Sequence, residues 1–236
     1  EKPEVAYKLR LSGNGCNNKP MKNLYASIQY MAENISSAIV LYSLGKDSTV
    51  MLDLFNKFMK GRYTPVFLYY CENLESKNKV IRYYEKRYNI KIEQYPHYET
   101  TYLISREGKN IKRLTMADTF AALRAKYNIE YIALGWEACE SLARACMLKT
   151  FDNGIDWKYK KLTPLHIWAK KDIDNYIKQN RLILAPEVYS GFRNIDIYKG
   201  ESLEWLKNNF PDDYQKWVTK YPMAQADFIR WQEYGK

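Results

Sequence analysis

The chain has 236 residues, of which 46% are hydrophobic and 27% are charged, and its formal net charge at pH 7 is +10. This composition is typical of a globular protein and excludes a disordered or fibrous one, while the length favours one domain or one domain with an appendage. The positive charge favours a polyanionic partner, either a nucleotide or a nucleic acid.

Cysteine and histidine are too sparse for the common metal sites. The sequence contains no CxxC pair, and its two histidines are far apart, so we expect neither zinc nor an iron–sulfur cluster. No segment approaches the roughly 18 uninterrupted apolar residues of a membrane span. The first residues contain no signal-peptide core. The sequence therefore predicts a cytoplasmic protein with no membrane partner.

Predicted strands and helices alternate along the first two thirds of the chain. Residues 11–20 are rich in Gly and Asn and predict a loop, and residues 21–36 predict a first helix. Runs of β-branched and aromatic residues predict strands at 37–43, 63–70, 90–95 and 130–136, with helices between them at 46–60, 75–89 and 115–128. This alternation predicts an α/β, Rossmann-like fold, in which helices cover both faces of a mostly parallel sheet.

After about residue 150 the pattern changes to short helices that are rich in aromatic residues. These helices are predicted at 171–180, 201–210 and 222–235, and the spacing of Leu203, Leu206 and Phe210 gives the second one a buried face. We therefore expect an N-terminal loop and helix in 1–34, an α/β core in 35–150, and a C-terminal helical extension in 151–236 that packs on the core.

The hexapeptide Ser-Leu-Gly-Lys-Asp-Ser at 43–48 joins the first strand to the helix that follows it. Backbone N–H groups at a helix start are unpaired and lie at the positive end of the helix dipole, which favours a phosphate. Gly45 permits a positive φ and a close approach to a ligand, Lys46 adds a charge, and Ser48 adds a hydroxyl. Asp47 either caps the helix or faces a magnesium ion. The alternative is an ordinary strand-to-helix turn, since the GxxxxGK[ST] pattern is absent.

Residues 43–48 resemble the PP-loop of ATP pyrophosphatases, S-G-G-K-D-S, with Leu44 in place of the first glycine. Three later stretches are similar to the phosphoadenosine phosphosulfate (PAPS) reductase and ATP sulfurylase small-subunit family. They are "LGWEACESLAR" at 134–144, "PLHIWAKKDIDNYI" at 164–177 and "VYSGF" at 188–192. The resemblance implies an adenine nucleotide alpha-hydrolase-like fold that binds ATP with Mg²⁺. It implies catalytic roles for Lys46 and Ser48, and nucleotide contacts from Ser43, Leu44, Gly45, Lys46, Asp47, Ser48, Glu72, Gly135 and Arg144.

Two interpretations are possible for several positions that match the family pattern. Glu72 either contacts the ribose or a metal or is a solvated loop acid, and Arg144 either contacts a phosphate or forms a surface salt bridge. Asp172 either serves the site or caps a helix. Two aromatic positions of the third stretch are expected to lie in the core rather than on a ligand, namely Trp168 and Tyr176.

Two departures from the family pattern limit the activity that the resemblance implies. Family reductases depend on a cysteine in a C-terminal tail, whereas no cysteine follows Cys146 here, so we do not expect PAPS reduction of the usual kind. Glu137 stands where the family has an arginine, and an acid at this position is expected to repel a sulfate or a 3′-phosphate. Plain ATP remains compatible with the site.

The resemblance therefore implies an enzyme that cleaves ATP between its α- and β-phosphates and adenylates an acceptor with release of pyrophosphate. One alternative is a non-catalytic or partner-dependent subunit that binds an adenine nucleotide or sulfonucleotide, together with a protein partner or as a homo-oligomer. Another is a DNA phosphorothioation-type sulfur-transfer component, for which the net charge and the aromatic, basic segments of the tail would suit a nucleic acid. We expect most of the tail aromatics to lie in the core.

Overall fold

The computed structural model describes residues 23–192 and 200–235. Predicted loop residues 11–20 lie outside this part of the chain. The strands are β1 (Ala38–Leu41), β2 (Tyr63–Tyr69), β3 (Glu93–Pro96), β4 (Tyr131–Ala133), β5 (Ile155–Asp156) and β6 (Lys161–Leu162). The helices are α1 (Ala26–Asn34), α2 (Lys46–Phe58), α3 (Glu75–Tyr88), α4 (Glu99–Arg106), α5 (Met116–Tyr127), α6 (Leu142–Leu148), α7 (Lys170–Gln179), α8 (Pro186–Tyr189), α9 (Gly200–Asn209), α10 (Pro211–Lys220) and α11 (Pro222–Tyr234).

The strands form one six-stranded sheet in the order β3-β2-β1-β4-β6-β5. Every pair is parallel except β5 and β6, so the expected mostly parallel sheet is confirmed. Strands β2 and β3 extend the sheet on one side of β1, and β4 begins its other side. The strand order therefore reverses at β1 and β4, which is where this architecture leaves a crevice beyond the carboxyl ends of the strands.

Alternate residues of β1 serve two different cores, because successive side chains of a strand point to opposite faces. Ala38 and Val40 pack with helices α1, α2, α3 and α7 in the larger core. Ile39 packs with Phe120 and Leu123 of α5 in the smaller one. Helices thus cover both faces of the sheet, as the sequence predicts.

Asparagine ends two of the helices that return the chain to the sheet. Asn89 follows α3 and Asn128 follows α5, and their φ angles are 53° and 52°. Asparagine tolerates this left-handed conformation better than most residues, so it stops a helix where glycine often would. Both helices therefore end directly before a strand begins.

Helices α9, α10 and α11 form a third cluster against the start of α3 and the inner side of α4. Its buried aromatic residues include Trp217, Tyr221 and Phe228, which confirms that these tail aromatics lie in the core. Asp213 of α10 accepts hydrogen bonds of 2.8 Å from the backbone N–H groups of Glu75 and Ser76. A tail carboxylate therefore occupies the positive end of α3.

The structure adds elements that the sequence patterns did not predict, including α4, α10 and the hairpin of β5 and β6. Strands of two residues are too short to show a period, which explains why the hairpin escaped prediction. Because β6 pairs with β4, the sheet continues past residue 150. The division into 1–34, 35–150 and 151–236 stays a prediction. Among the described residues, no helix has both the length and the apolar character needed to cross a membrane.

Candidate functional site

The loops that follow β1 and β4 meet at the reversal point of the sheet. Gly135 lies directly against the start of α2, where a Cβ added to it would stand 3.4 Å from the Cβ of Asp47 and 3.5 Å from the backbone nitrogen of Ser48. Two stretches that are almost 90 residues apart in sequence thus form one site. Any larger side chain at position 135 would extend over the beginning of the helix.

Helix α2 begins at Lys46 without a capping side chain. Its N-cap residue is Gly45, and the first hydrogen bond of the helix runs from the N–H of Thr49 to the carbonyl of Gly45 over 3.0 Å. The N–H groups of the first turn have no partner within the helix, and they lie at the positive end of its dipole. This end of α2 is therefore chemically suited to an anion.

Leu44, not Gly45, adopts the left-handed conformation in the loop. Its φ is 65°, whereas Gly45 is extended with φ −80° and ψ 173°, so Gly45 does not use the positive φ that glycine permits. A non-glycine residue in this region costs roughly 1–2 kcal/mol. The side chain of Leu44 is 1% exposed and belongs to the larger core. Its burial offsets the backbone strain.

The polar residues of the loop form two hydrogen bonds among themselves and one exposed ion pair with α7. The hydroxyl of Ser43 donates to that of Ser48 over 3.0 Å, and Ser48 donates to the carbonyl of Gly45 over 3.1 Å. Lys46 forms a 2.8 Å ion pair with Asp174 of α7, and both side chains are almost half exposed. Exposed pairs of this kind contribute only about 0–1 kcal/mol, so the ammonium of Lys46 is readily released.

Glu137 is buried beside the loop, close to the carboxyl of Asp47. Burial first, and then the neighbouring carboxyl of Asp47, raises the pKa of Glu137 to about 7. The thiol of Cys139 donates to a carboxylate oxygen of Glu137 over 3.0 Å. The raised pKa favours the neutral form of Glu137, which weakens the repulsion of anions that the sequence predicts for this residue.

Arg144 forms the predicted salt bridge rather than a contact with the loop. Its guanidinium donates to Glu140 over 2.7 Å, and its Cζ lies 4.6 Å from the centre of the Trp136 ring. The backbone N–H of Arg144 donates to Ser141, which caps α6. These contacts place the guanidinium at the rim of the crevice, against the ring of Trp136.

Glu72 follows β2 but faces a different groove. Its carboxylate is 3.8 Å from the ammonium of Lys220, and its side chain is 60% exposed. The residues that line this groove include Glu72, Lys216 and Lys220 but none of the loop residues 43–48. The structure thus does not bring Glu72 to the loop 43–48, in contrast to Gly135.

Three matched residues of the stretch 164–177 have structural roles. Asp172 accepts a 2.9 Å hydrogen bond from the N–H of Ala169 at the start of α7. Trp168 is 2% exposed, and Tyr176 donates to the buried carboxylate of Asp53 over 2.6 Å. The structure therefore places Asp172 as a helix cap and the two aromatic residues in the core.

A cavity of about 230 Å³ opens beside the loop, between the carboxyl ends of β1, β2 and β4. Ser43, Leu134 and Trp136 line it near the loop, and Phe67 and Phe120 contribute apolar walls. This volume is below the roughly 300–1,000 Å³ of pockets that hold drug-sized ligands. The cavity therefore has room for a single planar ring system.

The far wall of this cavity contains titratable residues that the sequence patterns did not reveal. Lys77 forms a buried ion pair with Glu187, and burial lowers the pKa of its ammonium. His97 stacks between Tyr70 and Tyr98 with ring-centre distances of 4.4 Å, and burial lowers its pKa as well. No local motif marks these residues, since they come from the ends of α3, β3 and α8.

The described residues contain no group of three or more His, Cys, Asp or Glu side chains that could hold a metal ion. The carboxyls beside the start of α2 include those of Asp47, within the loop, and Glu137. Cys71 is buried, and Cys139 and Cys146 are exposed free thiols.

The sheet order and the family match below define an α/β protein of the adenine nucleotide alpha-hydrolase-like fold. Residues 37–198 match the model of the phosphoadenosine phosphosulfate reductase domain, and the chain belongs to this family. No curated protein sequence matches the chain significantly.

Three of the solved structures that resemble the chain do so at low sequence identity. The phosphoadenylyl-sulfate reductase of Candida auris, in a phosphate complex, has a TM-score of 0.53 at 13% identity, over 73% of this chain and 87% of that one. The FMN adenylyltransferase of Candida glabrata in complex with ATP gives 0.49 at 16% identity, over 70% and 56%. The NH3-dependent NAD synthetase of Campylobacter jejuni gives 0.45 at 13%, over 90% and 93%.

Proposed function

We propose that this protein binds ATP at the edge of the sheet and cleaves it between the α- and β-phosphates, transferring the adenylyl group to an acceptor. The observation that carries the proposal is the uncapped start of α2, next to Gly135 and to a cavity for one ring system. An anion site and an apolar slot at one edge match the two ends of a nucleotide.

The adenine ring would occupy the cavity of about 230 Å³. Trp136 and Phe120 provide apolar and aromatic walls, and Ser43 connects the cavity to the loop. The triphosphate is too large for this space, so it would extend outward over residues 43–48. This arrangement leaves the α-phosphate at the mouth of the cavity, where an acceptor has access from solvent.

The loop would stabilise the charge that develops on the leaving pyrophosphate. An oxygen of the acceptor attacks the α-phosphorus, the bond from this phosphorus to the bridging oxygen breaks, and its electron pair leaves with pyrophosphate. Amides at the start of α2 and the hydroxyl of Ser48 donate hydrogen bonds to the phosphates. Lys46 leaves Asp174 to bind them, since the exposed ion pair holds it only weakly.

Magnesium would bind together with the nucleotide rather than to the protein alone. Magnesium commonly keeps several waters and uses substrate phosphates together with one or two carboxylates as ligands. It would supply positive charge at the phosphates, in addition to that of Lys46. The resulting expectation is that ATP binding depends on magnesium, while the protein alone binds this ion weakly.

The test is calorimetric titration with ATP and magnesium, followed by an assay for pyrophosphate. Because a hydrogen bond to a charged group is worth about 1.5–3 kcal/mol, Lys46→Ala should weaken ATP binding roughly 10- to 100-fold. The matched variant is Asp174→Asn, which removes the partner of Lys46 but keeps the ammonium. It should bind ATP as tightly as the wild type or more tightly. Equal affinity of the wild type and Lys46→Ala would refute the role of this lysine.

A second candidate function is a non-catalytic or partner-dependent subunit that binds an adenine nucleotide or sulfonucleotide. The ion pair between Lys46 and Asp174 is compatible with it, because the loop lysine already has an acidic partner in the protein without a ligand. The phosphate bound to the Candida auris reductase is compatible with both candidates. Release of pyrophosphate by the purified protein would exclude the second candidate, and tight binding of PAPS but not ATP would exclude the first.

A further inference from the structure

The turn between β5 and β6 carries aromatic and basic residues in alternation. Trp157 and Tyr159 are 42% and 56% exposed, and Lys158 lies between them. The carboxylate of Asp156 accepts hydrogen bonds from the N–H groups of Lys158 and Tyr159 over 3.1 and 3.0 Å. Two aromatic rings are thus held in solvent by a turn of defined shape, at the outer edge of the sheet.

A row of cations and rings connects this turn to the cavity. The ammonium of Lys158 is 5.0 Å from the centre of the Tyr159 ring, and that of Lys161 is 5.4 Å from the rings of both Tyr159 and Trp136. Arg144 lies 4.6 Å from the Trp136 ring, and Trp136 lines the cavity. These contacts join five residues, namely Trp136, Arg144, Lys158, Tyr159 and Lys161. Trp157 belongs to the same turn, where its ring packs against Tyr131 and its N–H donates to Asp152. We call these six residues the hairpin surface.

Two lysines of the hairpin surface are available to an anionic partner. Arg144 is already paired with Glu140, whereas in residues 23–192 and 200–235 neither Lys158 nor Lys161 has a carboxylate oxygen within 4.0 Å. Scattered exposed aromatic residues are common on protein surfaces and need no explanation. Here, however, the exposed rings alternate with unpaired positive charges and extend to a cavity, and the net charge of the whole chain is +10.

We propose that the hairpin surface binds single-stranded nucleic acid. Bases stack on exposed aromatic rings, and lysines between the rings neutralise the phosphates that connect the bases. A duplex keeps the faces of its bases covered, so its binding would use the lysines alone. A nucleic-acid strand bound to this surface would reach Trp136 and the mouth of the cavity. Its further role as the acceptor of the adenylyl group rests on the proposed function, whereas its binding does not.

The experiment measures fluorescence anisotropy of a labelled 20-nucleotide oligothymidine with the full chain, without ATP, over a series of salt concentrations. The same measurement uses a duplex of equal length, and polyglutamate is added as a competitor. We expect the single strand to bind more tightly than the duplex and to resist polyglutamate at equal charge. A duplex that binds as tightly, or polyglutamate that competes as well, would overturn the proposal in favour of a non-specific basic face.

Variants locate the binding on the hairpin surface. Trp157→Ser and Tyr159→Ser should each weaken binding roughly 5- to 100-fold, the range of one base–aromatic stack. The pair Lys158→Gln and Lys161→Gln should reduce the salt slope by about 1.4, since each phosphate contact on a single strand contributes about 0.7. The control with equal charge is Lys60→Gln with Lys86→Gln, at two exposed lysines elsewhere. If the control lowers binding as much as the hairpin pair, the proposal fails.

Calorimetry with ATP on the same variants separates this proposal from the proposed function. Hairpin variants that lose the oligonucleotide but bind ATP like the wild type support a distinct surface. If the wild type binds the oligonucleotide but not ATP, the hairpin surface stands and the proposed function falls. If it binds ATP but not the oligonucleotide, the reverse holds. Thermal melting confirms that each variant is folded, which the exposure of the turn leads us to expect.

Discussion

The C-terminal helices and the edge of the sheet at β4 and β6 use the same residue types for opposite purposes. In α10 and α11 the aromatic residues Trp217, Tyr221 and Phe228 are at most 2% exposed. In the hairpin turn, Trp157 and Tyr159 are 42% and 56% exposed. A helix longer than two turns can turn one face to a core, whereas the four-residue turn at the sheet edge leaves these rings partly in solvent. Composition therefore does not predict the role of an aromatic segment, but its local structure does.

The largest expected effect is a difference in the free energy of unfolding between tryptophan variants of the two regions. Trp217→Ala should lower the free energy of unfolding by about 3–5 kcal/mol, because it leaves a cavity in the buried cluster of the tail. Trp157→Ala should lower it less, by about 1–2 kcal/mol, because this ring is 42% exposed and loses only its packing against Tyr131 and one hydrogen bond to Asp152. Urea denaturation measures both values. Similar losses for the two variants would contradict the comparison.

A smaller loss is expected where the tail joins the sheet. Asp213 is 1% exposed and accepts the N–H groups of two residues at the start of α3. Asp213→Ala should lower the free energy of unfolding by about 2–3 kcal/mol, because both donors then lose a charged acceptor. Asp213→Asn keeps one acceptor oxygen and should lie between the wild type and the alanine variant. A loss no larger than that of an exposed acid such as Asp212→Ala would show that this contact does not stabilise the tail.

The third prediction concerns Glu137, beside the loop that follows β4, and the pH dependence of the free energy of unfolding. Glu137 keeps its proton up to a pH of about 7 in the native state, whereas an ordinary glutamate releases it near 4.5. Between these values the unfolded state binds fewer protons, so the free energy of unfolding should fall as the pH rises from 5 to 7. The expected fall is on the order of 2 kcal/mol.

Chemical denaturation at several pH values, in the presence of EDTA, measures this slope. Glu137→Gln should remove most of it, because glutamine keeps the shape and a hydrogen-bond donor for Asp47 but does not titrate. The control is Glu140→Gln, whose side chain is more than 40% exposed. If Glu137→Gln retains the slope of the wild type, the acid pair does not control the pH dependence.

The sequence patterns predicted the parts of the fold that repeat along the chain. Strands β1 and β2 and helix α2 lie within the predicted ranges, since their apolar residues recur with the period of a strand or a helix. The position of Lys46 and Ser48 at the start of α2 follows from the same pattern. The sequence did not reveal that Leu44, one position before Gly45, is the left-handed residue of the loop, with its side chain in the core.

The sequence by itself determined the alternation of strands and helices, the family, and the place of the loop 43–48 at a helix start. Only the tertiary structure decided which residues meet there. Glu137 joins Asp47, Lys46 pairs with Asp174, and Lys77 comes to the cavity, whereas Glu72 faces another groove. Local periodicity is a property of neighbouring residues, so it identifies an element and its buried face. Contacts between distant segments depend on how those elements pack, and no period in the sequence records them.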